Sequence, residues 1–294
     1  MTSYEEKLQQ EAALWGSVDE ASAAEIPPDW HYHRTLRHNA IMHTADIEAM
    51  LSRVQPGMRA LELGCASGWM SLAMAQRGAD VTGLDVSERS LAVAQRYYEQ
   101  VRTETPGTMT YALADLNVIA LRPNSFDVIV TKGTLHHLTE LEYVVDEVYR
   151  ALKPGGLFWI SDQDGDESLA TALVAGGLMF ALPTTVSYAD KIAGLAKFGL
   201  NAPSRIKASM EAEGLSPFEG AGRDYDWVKL VGERFNIEQK VVKPAVTGYI
   251  THQVDLPDTI ANPLLRGLHA VDSWLVARNW LQSTGVILYA RKPA

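Results

Sequence analysis

The chain has 294 residues, of which 47% are hydrophobic, and a single cysteine, Cys65. This composition supports a large buried core, which excludes disordered and fibrous classes, and one cysteine excludes a disulfide framework and cysteine-rich zinc sites. The 26 basic and 36 acidic residues give a net charge of -10, which disfavours nucleic acid as a partner. The polar, acidic start MTSYEEKLQQ is neither a secretory nor a transit signal, so we expect a cytoplasmic protein.

Strand and helix patterns alternate in the middle of the chain. Short apolar runs predict strands over Arg59–Leu63, Asp80–Leu84, Met109–Leu113, Phe126–Val130 and Leu157–Ser161. Amphipathic segments predict the helices between them, over Trp69–Arg77, from the N-cap Ser87 to about Val101, and after a Thr139/Glu142 capping box. Lys153–Gly156 predicts a turn. This alternation indicates a parallel sheet, in which ligands bind at the carboxyl ends of the strands.

The first strand ends in a glycine-rich turn, ELGCASG, from Glu62 to Gly68. Glycine is favoured where the backbone approaches a ligand closely or adopts a positive φ angle. The spacing of Gly64, Ala66 and Gly68 differs from the dinucleotide fingerprint. Because a buried carboxylate at Glu62 would repel a pyrophosphate, we expect it to hold a cationic ammonium.

Two further carboxylates follow the next two strands. Asp85 is in the position where an acid accepts hydrogen bonds from the hydroxyls of a ribose, and its alternative role is capping the helix that begins near Ser87. Asp115 is placed to accept a hydrogen bond from an exocyclic amine such as that of adenine, and its alternative role is in a surface turn. Together with Glu62, they predict a site for a nucleoside with a cationic amino-acid tail and no phosphates.

The chain resembles the class I, Rossmann-like S-adenosylmethionine (SAM) methyltransferases, and within them the type 11 group that acts on small molecules. The resemblance covers about residues 45–162 and a final strand. It rests on ordered motifs: LELGCASG (61–68), GLDVS (83–87), ADLN (114–117), SFDVIVTKGTLHHL (125–138) and RALKPGG (150–156). One residue departs from the family pattern, since Ala66 replaces the middle glycine of the turn, and we expect binding to survive.

The resemblance implies an α/β fold with a seven-stranded, mostly parallel sheet, helices on both faces, a helical N-terminal cap and lid insertions. The remaining strands would be Phe235–Val242 and Gly285–Arg291, the latter antiparallel. It also implies SAM as cofactor and S-adenosylhomocysteine (SAH) as product. The implied cofactor-binding residues are Glu62, Gly64, Ala66, Gly68, Asp85, Val86, Asp115, Leu116, Lys132 and Gly133. Lys132 and Gly133 would flank the methionine tail of SAM, and Val86 and Leu116 would contact the adenine.

The chemistry requires a nucleophile aligned with the methyl group, and a general base where the acceptor loses a proton. His136 and His137 follow the fourth strand, in the usual place for such a base, and are the candidate catalytic residues. Their alternative role is packing against the cofactor or capping the next helix. The histidines between His31 and His43 form no metal-ligand pattern, so we predict no metal and expect an aromatic and histidine cap.

The organisation of the chain follows from this core. We predict a helical cap over residues 1–44, a SAM-binding core over 45–162, a lid or substrate insertion over 163–225, and the rest of the core with a helical insertion over 226–294. The uncharged run 168–189 predicts an apolar lid or a buried helix rather than a stable membrane span. In the last insertion, Leu264, Leu268, Val271 and Leu275 are predicted to share one helical face.

The sequence is compatible with two functions. An apolar lid followed by lysines favours a methyltransferase with a small lipophilic acceptor such as a natural product, and is compatible with transient contact at a membrane surface. The alternative is a protein that binds SAM or SAH without methyl transfer, as a pseudoenzyme or scaffold. Amino-methylation of nucleic acid is disfavoured because Thr131–Thr134 replaces the Asn/Asp-Pro-Pro-Tyr motif of such enzymes. The sequence does not indicate the oligomeric state.

Overall fold

The computed structural model describes residues 3–164, 168–198, 217–218, 226–283 and 285–294. These residues contain one seven-stranded sheet of order β3-β2-β1-β4-β5-β7-β6. The strands are β1 Arg59–Leu63, β2 Asp80–Asp85, β3 Thr108–Leu113, β4 Phe126–Lys132, β5 Leu152–Gln163, β6 Asn236–Val242 and β7 Gly285–Arg291. Strands β1 to β5 pair in parallel, and β7 is antiparallel to both β5 and β6. The predicted sheet and the reversed last strand are confirmed.

Helices cover both faces of the sheet. In the described residues they are α1 Tyr4–Glu25, α2 Trp30–His33, α3 Arg37–Met42, α4 Thr44–Leu51, α5 Trp69–Gln76, α6 Glu88–Val101, α7 Leu141–Ala151, α8 Leu169–Ala181, α9 Tyr188–Phe198, α10 Trp227–Gly232, α11 Thr247–Gln253 and α12 Asp258–Ala277. Side chains of successive strand residues alternate between the faces. In β4, Ile129 packs toward α7 and α10, whereas Val128 and Val130 pack toward α4 and α5. The sheet is therefore buried on both sides.

The start of α7 and the start of β5 differ from the prediction. The Thr139/Glu142 capping box is wrong: α7 begins at Leu141 without a side-chain cap, because Asn117 Oδ1 accepts the N–H groups of Thr139 and Glu140 at 2.9 and 3.0 Å.

The turn predicted at Lys153–Gly156 is also wrong, since β5 already begins at Leu152. Gly155 N–H donates to Lys292 O and Lys292 N–H donates to Gly156 O, both at 3.0 Å. These two hydrogen bonds hold the segment beside the chain that follows β7. The register between β4 and β5 shifts next to it, between Phe126 and Val128.

Helix α1 packs against α6. A Cβ atom at Gly16 would lie 2.7 Å from Ser87 Oγ and 2.8 Å from Arg89 Cβ, so the close approach of the two helices depends on the missing side chain. The guanidinium of Arg89 reaches across to Glu20 and Ser17 of α1. As predicted, Ser87 caps α6, with its hydroxyl accepting the Ser90 N–H at 3.3 Å. The amino-terminal helix is thereby fixed beside the carboxyl end of β2.

The uncharged run forms α8, which packs through Ala175 and Leu178 against α11 and the end of α12. Leu169 and Leu173 on its other side are 76% and 50% exposed, so a fully buried helix is wrong for this segment. No helix among the described residues is both long enough and apolar enough to cross a membrane. Of the basic residues that follow this run, Arg205 and Lys207 lie outside the described residues.

The predicted apolar face of α12 is right for Leu268 and Leu275, which pack against the core, and wrong for its other two residues. Leu264 and Val271 are exposed, whereas Leu265 and Asp272 are buried. Asp272 is buried because its carboxylate accepts four hydrogen bonds of 2.7–3.0 Å from Ala245, Val246 and Thr247 at the start of α11. A buried cap for a neighbouring helix thus determines which side of α12 faces inward.

Candidate functional site

The turn after β1 has the backbone geometry that its glycines suggest. Gly64, Ala66 and Gly68 all have positive φ angles, of 71°, 48° and 78°. A Cβ atom at Gly64 would collide with the Thr134 hydroxyl, so this position also requires a residue without a side chain. Ala66 adopts the left-handed conformation despite its Cβ atom.

Glu62 lies at the end of β1, buried beneath this turn with 3% exposure. Its carboxylate accepts a short hydrogen bond from the hydroxyl of Ser71 in α5. Burial raises the pKa of Glu62 to about 8, against the smaller opposing effect of the Ser71 hydrogen bond. A cation placed beside this carboxylate would favour its ionised form.

Asp85, the last residue of β2, joins the glycine-rich turn to α6. Its Oδ2 accepts the Ala66 N–H at 2.8 Å and its Oδ1 accepts the Ser87 N–H at 2.9 Å. The contact with Ser87 is the one expected if Asp85 caps the start of α6, which was its alternative role. The contact with Ala66 holds the glycine-rich turn in place. Burial raises the pKa of Asp85. Each carboxylate oxygen has a second lone-pair direction for the hydroxyl of a ligand.

Asp115 follows β3 and is covered by the amino-terminal helix. The Tyr4 hydroxyl donates to Asp115 Oδ2 at 2.7 Å, and the Asn117 N–H donates to Oδ1 at 2.9 Å. Burial, followed by the contact with Asp115, raises the pKa of Tyr4 to about 12. Of the neighbouring candidates, Leu116 is buried in the core cluster on the α7 side and Val86 is half-buried. The sequence analysis did not anticipate the contact between Tyr4 and Asp115.

His136 forms a dyad with Asp162, the penultimate residue of β5. Its Nδ1 lies 2.6 Å from Asp162 Oδ1, with the two side chains 9% and 0% exposed. The second carboxylate oxygen accepts the N–H groups of Thr134 and Leu135 at 2.9 and 2.7 Å. The Asp162 carboxylate is therefore placed to accept the Nδ1–H of His136. The sequence analysis missed Asp162, although its signal, an acid at a strand end, was the one used for Asp85.

His137 is paired with a second acid, Glu11 of α1. The Nδ1 atom lies 3.3 Å from Glu11 Oε1, which also accepts the Trp15 indole N–H at 2.8 Å. The Trp15 and His137 rings meet edge to face at 5.7 Å. Glu11 is 5% exposed and raises the pKa of Asp85 through its charge, so α1 contributes an acid to the same edge of the sheet.

The end of β4 supplies the remaining candidates. Lys132 is half-buried and burial lowers its pKa, whereas Gly133 is exposed with a φ of 66°. His33 stacks on the indole of Trp69, at the start of α5, with ring centroids 5.5 Å apart. In the part of the chain that the structure describes, no group of three or more His, Cys, Asp or Glu is arranged to hold a metal ion.

The structure therefore gathers every predicted site residue at one edge of the sheet, around the ends of β1 to β4. The carboxyl groups of Glu62, Asp85 and Glu11 gather at this edge, and their ionised forms would fit the cationic ammonium and sulfonium of SAM and oppose a pyrophosphate. The left-handed turn allows close backbone approach. The strand order with a reversed β7 is that of the class I, Rossmann-like methyltransferases.

Comparison with known proteins identifies the family of the central segment. Residues 61–160, about a third of the chain, match a family model described as a methyltransferase domain. The ubiquinone biosynthesis O-methyltransferase of Idiomarina loihiensis is 37% identical over 106 residues, which are 36% of this chain and 42% of that protein. Squalene methyltransferase 1 of Botryococcus braunii is 32% identical over 131 residues, 43% of this chain and 34% of that protein. The chain thus spans less than half the length of these curated relatives.

Solved structures agree on the fold. A putative methyltransferase from Bacillus halodurans superimposes with a TM-score of 0.51 and 16% identity, over 85% of this chain and 100% of that one. A SAM-dependent methyltransferase from Methanosarcina mazei gives 0.50 and 18%, over 83% and 97%. These structures show the fold alone; the family match over residues 61–160 supports a class I methyltransferase domain there, and this family and fold imply SAM as the cofactor.

Proposed function

We propose that the protein transfers the methyl group of SAM to a small, lipophilic organic acceptor and releases SAH. The observation that carries this proposal is the set of carboxylates at three successive strand ends, Glu62, Asp85 and Asp115, around a left-handed turn in the segment that matches a methyltransferase domain. SAM, when bound, supplies an electrophilic methyl group.

The cofactor-binding roles that we assign are those that the resemblance implies. Glu62 holds the ammonium of the methionine part, and the backbone of Gly64, Ala66 and Gly68 lines that part of the ligand. Asp85 binds the ribose hydroxyls with its remaining lone pairs, and Val86 contacts the adenine. Asp115 and Leu116 recognise the adenine amine and ring, with Tyr4 covering them. Lys132 and Gly133 border the methionine tail.

The catalytic proposal centres on the His136–Asp162 dyad. Because Nδ1–H is donated to Asp162, the Nε2 lone pair of His136 takes the proton of an acidic acceptor group as that group attacks the methyl carbon. SAM would supply the methyl carbon and would keep the electron pair of the cleaved carbon–sulfur bond on its sulfur. His137 is the second candidate, since Glu11 orients it in the same way. The surrounding helices exclude water and align the acceptor.

The lipophilic nature of the acceptor is supported by the decorations around the core. Leu169, Leu173 and Phe180 leave apolar surface exposed on α8, and two of the relatives are named for ubiquinone biosynthesis and for squalene. Phe218 of the first insertion packs its ring 5.6 Å from that of Tyr4, so this insertion reaches the helix that covers Asp115. We further propose that the acceptor is a natural product and that the exposed apolar surface of α8 makes transient contact with a membrane surface. The proposed location is the cytoplasm.

Transfer of a radiolabelled methyl group from SAM tests the proposal. Quinols, prenylated phenols and polyketide-like phenols form one panel, and small polar amines and sugars form the other, with SAH binding measured by calorimetry. We expect the protein to bind SAH and to methylate only members of the lipophilic panel. Best turnover with polar amines or sugars would contradict the acceptor class. SAH binding with no transfer to any member would instead favour a SAM- or SAH-binding protein without methyl transfer, and failure to bind SAH would reject both.

A further inference from the structure

Helix α12 has an apolar stripe along its exposed side. The residues of the stripe recur every three or four positions, which places them on one side of an α-helix; they are Ile260, Leu264, Gly267, Val271 and Trp274. On the opposite side, Ala261 and Leu265 are fully buried. Monomeric proteins rarely expose a continuous apolar surface of this kind, so the stripe indicates a contact surface.

The spacing of the stripe is that of a seam between two packed helices. Successive members are separated by four, three, four and three residues, which is the heptad spacing of helices that pack side by side. At 1.5 Å per residue, the stripe is about 21 Å long. A second helix is therefore the shape that fits it.

Gly267, in the middle of the stripe, supports the close approach of such a helix. Glycine in the interior of a helix is destabilising relative to alanine. A Cβ atom at this position would meet no atom of the described residues within 4 Å, so packing within that part of the chain does not require a glycine here. The missing side chain does allow the backbone of another molecule to come close.

The stripe is nearly symmetric about Gly267. Ile260 and Trp274 lie seven residues to either side of it, and Leu264 and Val271 lie three and four residues away. Two copies of α12 that pack antiparallel, with Gly267 on a two-fold axis, place Ile260 of one copy against Trp274 of the other. The same surface then serves both copies, as a two-fold interface requires.

The charges at the two ends of α12 complement each other in the same arrangement. Arg278, directly after the helix, lies 3.9 Å from the centroid of the Trp274 ring and forms no ion pair with another described residue. Antiparallel packing brings it beside the start of α12 in the other copy, where Asp255 and Asp258 are exposed. Asp258 also pairs with Arg37 of its own chain, yet its side chain remains 68% exposed. Parallel packing would instead place Arg278 against Arg278.

We infer that α12 is the interface between two copies of this chain, packed antiparallel and centred on Gly267. The two exposed acids at the start of α12 disfavour an anionic membrane as the occupant of the stripe, whereas charge complementarity favours a second copy. A single helix pair is a small interface, so we expect a dissociation constant of about micromolar magnitude. The inference does not depend on methyl transfer, so it stands or falls separately from the proposed function.

Sedimentation velocity of the full chain over a concentration series tests the interface. We expect the wild type to change from one chain to two as its concentration rises. Gly267→Glu places two carboxylates next to each other on the axis and should raise the dissociation constant at least about tenfold. Gly177→Glu is the matched control, since Gly177 is exposed on α8 and a Cβ atom there would likewise meet no atom of the described residues within 4 Å. It should keep the dissociation constant of the wild type.

A charge reversal tests the antiparallel arrangement. Arg278→Glu should weaken the dimer, and adding Asp255→Arg to it should restore the affinity. Circular dichroism of the diluted, monomeric variants shows that each is folded. A wild type that stays monomeric, equal effects of the two glycine substitutions, or failure of the second charge change to restore affinity would overturn the inference. A monomer that sediments with phosphatidylglycerol vesicles, and loses this binding in Gly267→Glu, would overturn it in favour of a membrane contact.

Discussion

The imidazole of His136 and the carboxylate of Asp162 meet at 2.6 Å, with both side chains almost fully buried at the adjacent ends of β4 and β5. The register of the two strands brings them together, since Lys132 pairs with Ser161 and the chain continues from each. The second carboxylate oxygen binds two backbone N–H groups of the loop that carries His136. The carboxylate therefore fixes both the loop and the tautomer of the histidine.

Asp162→Asn should lower kcat for an acceptor that loses a proton by about 10²-fold or more, within the usual contribution of a general base. The asparagine oxygen can retain the backbone contacts, which turns its NH₂ group toward Nδ1 and moves the imidazole proton to Nε2. SAH affinity should change less than threefold. Asp127→Asn, at the opposite end of β4 and paired with Lys153, is the control for loss of one carboxylate. An Asp162→Asn enzyme with normal kcat would exclude His136 as the base.

Glu62 should make cofactor binding depend on pH. Its folded-state pKa is raised to about 8 by burial, and SAH requires the ionised carboxylate for its ammonium. Affinity should therefore increase from pH 6 to pH 8, by up to about tenfold per pH unit, with proton release on binding. Calorimetry in two buffers of different ionisation enthalpy measures this release. Glu62→Gln should remove the contribution of Glu62 to the pH dependence of SAH affinity, and it should weaken SAH binding by about 1.5–3 kcal/mol at pH 8.5.

The raised pKa of Glu62 also makes the stability of the ligand-free protein fall as the pH rises, whereas SAH affinity increases. Because the folded pKa of Glu62 exceeds its ordinary value of 4.5, its stabilising contribution is fully present below pH 4.5 and is lost as the pH rises through 8. Without ligand, Glu62→Gln should therefore unfold at a higher denaturant concentration than the wild type at pH 8.5. A variant less stable than the wild type at that pH would show that burial does not destabilise the ionised carboxylate of Glu62.

Sequence patterns predicted the strands and the polar residues at their ends because local signals specify both. A short apolar run closed by glycine or aspartate marks a buried strand, and the ends of parallel strands share one edge. The same rule, extended to β5, would have found Asp162. Glu11 could not be found this way, because α1 has charged residues around most of its circumference and its buried side is defined only by packing against α6.

The errors have a common physical origin in long-range polar contacts. The predicted Thr139 cap is replaced by Asn117, which lies 22 residues earlier. Leu264 and Val271 of the predicted α12 face are exposed, and Asp272 is buried instead as a cap for α11. A buried carboxylate that satisfies several backbone N–H groups outweighs the hydrophobic pattern of the helix that carries it. Such contacts depend on tertiary structure and leave little trace in local periodicity.

Asp272→Ala should destabilise the protein by at least about 3 kcal/mol. It removes the acceptor of three buried N–H groups and one hydroxyl, and each buried donor left unsatisfied costs about 1–3 kcal/mol. Asp258→Ala, in the first turn of the same helix, removes an exposed pair with Arg37 and should cost at most about 1 kcal/mol. Urea unfolding of both variants gives the comparison. Equal small losses would show that Asp272 does not support α11.

Ala66→Gly should stabilise the protein slightly and leave cofactor binding intact. Ala66 is held at a φ of 48°, where a residue with a Cβ atom carries a strain of about 1–2 kcal/mol. The greater freedom of glycine in the unfolded chain offsets about 0.4–1 kcal/mol of this gain. The N–H that donates to Asp85 is retained, so SAH affinity should change less than twofold.

Ala92→Gly, at an exposed position of α6, makes the same chemical change in a helix and should instead cost about 1 kcal/mol. Thermal unfolding of the two variants should therefore shift in opposite directions. A loss of stability in Ala66→Gly as large as that in Ala92→Gly would show that the turn is not strained at alanine.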